Sequence, residues 1–172
     1  MIVYWAVMLL PALGMISATS VSPRVNKTAW LGMLSLWVGI IGFRHEVGCD
    51  WEPYMDYFSG AEVFFVGQWV SSLVHMEPAY ALLNLIAHRA DLGIYFVNLV
   101  CGLLTVVGLA KFCSWTEKSW LSWFVLTPYV LIVVGLGYTR QSVALALFAW
   151  GLTYLEQERY RRYVMLAVLA MA

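Results

Sequence analysis

The sequence predicts an all-α fold: a polytopic transmembrane helix bundle with about five full spans, a truncated sixth, and amphipathic interfacial helices on the outer face. Three observations lead there. First, the 172-residue chain is 62% hydrophobic and only 12% charged, about half the charged share of an ordinary soluble domain, and its mean hydropathy is +0.77. Second, the apolar residues come in long runs, and a bilayer-crossing helix needs roughly 17–25 of them. Third, seven of the ten basic residues fall in three short loops between those runs, the pattern that orients helices in a membrane.

The runs follow in order. Residues 2–19 have no Lys or Arg ahead of the apolar stretch, so they are read as a retained span rather than a signal peptide. Pro11 within them predicts a kink. Residues 29–43, AWLGMLSLWVGIIGF, form a short uncharged second span. Residues 92–112 form the third. Residues 119–137 form the fourth, with Pro128 inside it, and residues 141–155 the fifth. The sixth starts at Tyr163 and runs ten residues to Ala172, about 15 Å at the helical rise, or half a bilayer. Residues 61–75 and 78–90 are too short or too polar to span. They are read as interfacial amphipathic helices.

Charge sets the orientation. Arg24 and Lys27, Lys111 and Lys118, and Arg159, Arg161 and Arg162 mark loops 20–28, 111–118 and 156–162 as cytoplasmic. The N-terminus, residues 44–91 and residues 138–140 are then outside. That side holds seven of the ten acids. The whole of residues 1–172 reads as a single transmembrane domain. A net charge of zero points to no nucleic-acid partner. Cys49, Cys101 and Cys113 are odd in number and scattered, so no disulfide framework or metal spacing is visible. No nucleotide-binding signature and no internal repeat occurs.

The outer face keeps three basic residues: Arg44, Arg89 and Arg140. Arg44 follows the second span directly, and Arg140 precedes the fifth. One reading is snorkelling of the two side chains to the headgroups. The other is an anion site, because two guanidinium forks from different helices are suited to clamp a pyrophosphate. Asp50 and Glu77 would orient them or supply a general base. Glu46 and Glu52 read as a solvated loop face.

The same residues resemble a known family. RHEVGCDWEPY (44–54) is similar to the Arg-x-x-Val-Gly-Thr-Asp-Tyr-x-x-Tyr motif of the EpsG-like group of Wzy-type polysaccharide polymerases. EPAYALLNLI (77–86) resembles the Glu-Pro-Gly-Tyr-x-x-Leu-Asn segment of that group. TRQSVALALFAWGLTYLEQERYRRY (139–163) resembles its Gly-Ile-Arg-Gln-x-Ile-Ala helix and the basic loop after it. Cys49, Trp51, Ala79 and the pair Tyr138–Thr139 depart from the pattern by side-chain size, and no charged motif residue is lost. Family members are about twice as long, so the chain is expected to be an N-terminal portion.

The resemblance implies a multi-pass protein of the bacterial inner membrane. It implies glycosyl transfer at the outer face between glycan repeat units carried on undecaprenyl pyrophosphate, with no cofactor and no metal. Arg44 and Arg140 would stabilise the departing pyrophosphate. Asp50 or Glu77 would act as base or pin the arginines. His45, Trp51, Tyr54, Tyr80 and Gln141 would bind substrate, and Trp51, Tyr54 and Tyr57 would stack on sugar faces, although an aromatic interfacial belt is the more common explanation for such residues. Segments 61–75 and 78–90 would gate the polyprenyl tail. Membrane lipids and other polysaccharide-assembly proteins are the implied partners. Two other classes stay open: a transporter or flippase of lipid-linked sugars, and a non-catalytic membrane subunit of exopolysaccharide assembly. A ligase acting on finished polymer shares the same chemistry.

Overall fold

The computed structural model describes residues 2–17, 22–48, 50–61 and 78–171. Among them the chain forms α1 (Ile2–Ser17), α2 (Pro23–Gly42), α3 (Trp51–Ser59), α4 (Pro78–Arg89), α5 (Gly93–Trp115), α6 (Ser119–Leu126), a π-helix (Thr127–Gly135), α7 (Thr139–Glu156) and α8 (Tyr160–Ala170). The described residues contain no strand. The all-α class is as the composition required.

Of the described helices, α5 is long and apolar enough to cross a membrane, with a mean hydropathy of 2.0. Tyr4–Ser17 and Ser119–Gly135 are apolar but shorter. The expected second span lies within α2, yet the helix begins six positions before the apolar run. Ser22 caps it by accepting a hydrogen bond from the Val25 amide, and Pro23 occupies the first turn, where its missing N–H costs nothing. Arg24 and Lys27 are thereby drawn into the helix. The expected fourth span is continuous through Pro128 but changes type. Proline has no N–H to return to the preceding turn, and the backbone widens into the π-helix from Thr127. Helix α1 carries on through Pro11. Residues 78–90, expected to be helical, form α4 over Pro78–Arg89. Its companion at 61–75 lies outside the described residues, apart from Ala61.

Helix α3 has no counterpart in the apolar runs. Its aromatic residues Trp51, Tyr54 and Phe58 recur at helical spacing, which is the pattern of a short helix with one buried stripe. Tyr54 is buried beneath it.

The bundle is organised around α5, which packs against α2, α4 and α7. Backbones approach closely where small residues allow it. A Cβ on Gly108 of α5 would lie 2.7 Å from the Ala146 carbonyl oxygen of α7. One core joins Trp37, Ile41, Leu109, Trp123 and Leu131; a second joins Tyr54, Tyr80, Ala87, Val97 and Cys101 across α3, α4 and α5. At one end of the bundle, Trp120 Nε1 donates to Asn26 Oδ1 at 2.8 Å and Trp115 Nε1 to Glu156 Oε2 at 3.2 Å. These bonds gather the three basic loops at that end. The motif residues meet at the opposite end.

Candidate functional site

The loop between α2 and α3 lies across the turn between the π-helix and α7. Gly48 makes this possible. Its φ is +96°, and a Cβ there would meet the Gly137 Cα at 2.8 Å, so only glycine combines that conformation with that contact. Arg44, in the same loop, is 4% exposed. Its Nη1 donates to the Leu136 carbonyl oxygen at 2.5 Å, and its Nη2 donates to Thr139 Oγ1. Its Nε is buried without a hydrogen-bond partner among the described residues. Burial lowers the pKa of Arg44, opposed by Tyr54, Tyr80, Cys101 and Asp50. It still stays a cation, because arginine starts so far above neutrality.

Thr139 is fully buried and starts α7. One turn on, Ser142 Oγ donates to the Thr139 carbonyl at 2.8 Å and lies 3.1 Å from Thr105 Oγ1 on α5. This polar seam crosses the α5–α7 contact. The next residue, Arg140, lies among aromatic rings. Its Cζ is 5.9 Å from the Tyr54 centroid, 5.6 Å from Tyr57 and 5.8 Å from Tyr80. The Arg44 Cζ is 5.7 Å from the same Tyr54 ring. The Tyr54 and Tyr80 rings are 5.8 Å apart. Each such cation–ring pair contributes about 0.5–2 kcal/mol according to its desolvation.

A cavity of about 360 Å³ opens beside Arg140. Asp50, Tyr54, Tyr80, Arg140 and Gln141 line its polar part. Leu104 of α5, Leu147 of α7 and Leu169 of α8 continue it as an apolar wall. Asp50 stands at the start of α3, yet its carboxylate makes no capping bond there. The Tyr80 hydroxyl is buried without a hydrogen bond of ordinary geometry among the described residues; burial raises its pKa, opposed by the nearby Asn84 side chain. The neighbouring Asn84 is fully buried and donates to the Tyr80 carbonyl at 2.8 Å.

Five of the nine residues singled out in the sequence thus share one cavity. Arg44 lies behind it, turned into the protein. His45 and Trp51 sit apart in an aromatic cluster: His45 Nδ1 is 2.8 Å from Tyr95 Oη, and the Trp51 ring meets the imidazole edge-on at 5.5 Å. Glu77 lies outside the described residues. The apolar wall and Thr139 were not singled out beforehand. Leucines inside hydrophobic runs give no signal of which face they line.

The EpsG family model matches residues 29–172, from within α2 to the end of α8. No curated protein and no solved structure matches the chain.

Proposed function

Since the chain belongs to the EpsG family, we propose that it polymerises glycan repeat units carried on undecaprenyl pyrophosphate, at the outer face of the bacterial inner membrane. Family membership carries the coarse role directly: a membrane-associated part in exopolysaccharide biosynthesis. The polymerase reading, the multi-pass topology with its five spans, and the lipid-linked substrate go further. The cavity is the observation that supports them. It sets a cation, a carboxylate, an amide and two tyrosines at one end of an apolar wall, the amphiphilic profile of a lipid pyrophosphate.

In the proposed reaction an acceptor hydroxyl attacks the anomeric carbon of the donor glycan. The new glycosidic C–O bond forms as the bond to pyrophosphate breaks, and the electron pair leaves with the pyrophosphate. Arg140 meets that developing charge with its planar fork of donors. A preorganised donor of this kind is worth about 3–4 kcal/mol in the transition state. Asp50 accepts the hydroxyl proton or orients the hydroxyl. Gln141 and the Tyr80 hydroxyl bond ligand oxygens, and Leu104, Leu147 and Leu169 hold the first part of the tail.

The test is turnover of a purified lipid-pyrophosphate repeat unit, read as a ladder of polymer lengths. Arg140→Ala and Asp50→Asn at unchanged expression should abolish the ladder. A normal ladder from Arg140→Ala would defeat the proposal.

A further inference from the structure

We infer that Arg44 is a positioning residue: it holds Arg140 in place by clamping the turn before it, and does not itself touch the ligand. This rests on the lipid-pyrophosphate reading of the cavity. In the sequence the two arginines look equivalent, each at the end of an apolar run. In the fold they are not. Arg140 lines the cavity, whereas Arg44 does not and is 4% exposed.

Two N–H groups of Arg44 are committed to Leu136 and Thr139, the residues that bracket the turn leading to Arg140. From within, the turn is held by the Tyr138 N–H on the Val134 carbonyl at 2.8 Å and the Ser142 N–H on the Tyr138 carbonyl at 2.9 Å; neither bond reaches the loop between α2 and α3. Arg44 adds a restraint from outside. Its planar fork presents two donors at a fixed angle, matched to one carbonyl and one hydroxyl. The backbone at Gly48 presses on Gly137 from the same loop. Beyond Thr139 the restraint continues through Ser142 to Thr105. Tyr54 lies within cation–π range of both guanidinium groups, so a shift of the turn would also move Arg140 off its rings.

The experiment is a double-mutant cycle on the whole chain in lipid nanodiscs, titrated with undecaprenyl pyrophosphate, with the folded fraction of each variant measured alongside. Arg140→Ala should weaken binding at least about tenfold. Arg44→Ala should weaken it by a similar factor, and Arg44→Lys by less, because one ammonium can serve only one of the two acceptors. A residue that acts only through Arg140 has nothing left to do once Arg140 is gone. The double variant should therefore bind within about twofold of Arg140→Ala alone. Multiplying losses would make Arg44 a direct ligand and overturn the inference while leaving the proposed function intact. Full rescue by Lys would overturn it as well, since charge alone would then suffice. If Arg44→Ala does not fold, Thr139→Val removes one acceptor and keeps the arginine. It should weaken binding about fivefold, and not at all in the Arg140→Ala background; unchanged binding in the single variant would sink the inference. If the wild-type chain does not bind the probe, the proposed function fails by itself. Amide exchange at residues 137–141 then decides the clamp: faster exchange in Arg44→Lys supports it, and unchanged exchange overturns it.

Discussion

Arg44 Nη1 lies 2.5 Å from the carbonyl oxygen of Leu136, 92 positions along the chain. A charged donor on a carbonyl at the end of the π-helix complements the negative end of the backbone dipole. The bond ties the first motif block to the third.

The first prediction concerns that tie and stability. Arg44→Ala leaves the Leu136 carbonyl and the fully buried Thr139 hydroxyl without their donor. A buried polar group stripped of its partner costs about 1–3 kcal/mol. Thermal unfolding in detergent should show a lower Tm for Arg44→Ala than for the wild-type chain. Equal Tm values would mean that Arg44 carries no structural tie.

The second prediction concerns Gly48. Alanine there must adopt a φ of +96° and bring its Cβ within 2.8 Å of the Gly137 Cα. Strain of that kind costs about 1–3 kcal/mol. Gly39 in α2 is the contrast, because a Cβ there meets nothing within 4 Å. Gly39→Ala should raise stability by up to about 1 kcal/mol through helix propensity, while Gly48→Ala should lower it. Opposite shifts in Tm are the expected readout, and a neutral Gly48→Ala would refute the close contact of loop and turn.

How much of this was legible in the sequence depends on the kind of residue. Charges beside apolar runs and prolines inside them stand out, so Arg140, Asp50 and Pro128 were visible, although the change to a π-helix at Thr127 was not. Asp50, Tyr54, Tyr80, Arg140 and Gln141 come from three separate motif blocks, and the fold brings them to one cavity. The difference between Arg44 and Arg140 was not visible, because it arises from which side chain the Leu136–Thr139 turn covers. Helix α3 was missed for a related reason: its signal is three aromatics at helical spacing within a charged segment, and a search for apolar runs passes over it. Orientation within a membrane helix is equally hidden. On α5, Cys101 is buried while Leu103 and Leu104 are exposed, yet all three are apolar, and lipid tolerates them as well as a core does. Hydropathy cannot separate the two surroundings.

The third prediction uses the Tyr80 hydroxyl. It is buried and makes no hydrogen bond of ordinary geometry among the described residues, with only the Asn84 side chain near it, so removing it should do little harm to the empty protein. Tyr80→Phe should leave Tm unchanged or raise it slightly, because an unsatisfied buried hydroxyl is itself unfavourable. If the hydroxyl bonds a ligand oxygen, the same variant should weaken undecaprenyl pyrophosphate binding about fivefold to tenfold. A fall in Tm would show that the hydroxyl has a partner within the protein, and intact affinity would remove it from the binding set.

The fourth prediction separates headgroup from tail. Ala144 lines the cavity among the leucines of its apolar wall and is half-buried. Ala144→Phe projects a ring into the space of about 360 Å³, one turn along α7 from Arg140. If the wall receives hydrocarbon, the ring should exclude it. Undecaprenyl pyrophosphate should then bind at least about tenfold more weakly, while inorganic pyrophosphate, which needs only the polar end, should bind as before. Ala144→Ser keeps the space and adds only one hydroxyl, so both ligands should bind it nearly as they bind wild type. Equal losses for the two ligands in Ala144→Phe would mean that the ring has displaced the polar end. Unchanged affinity for both would mean that the tail lies along another face of the bundle.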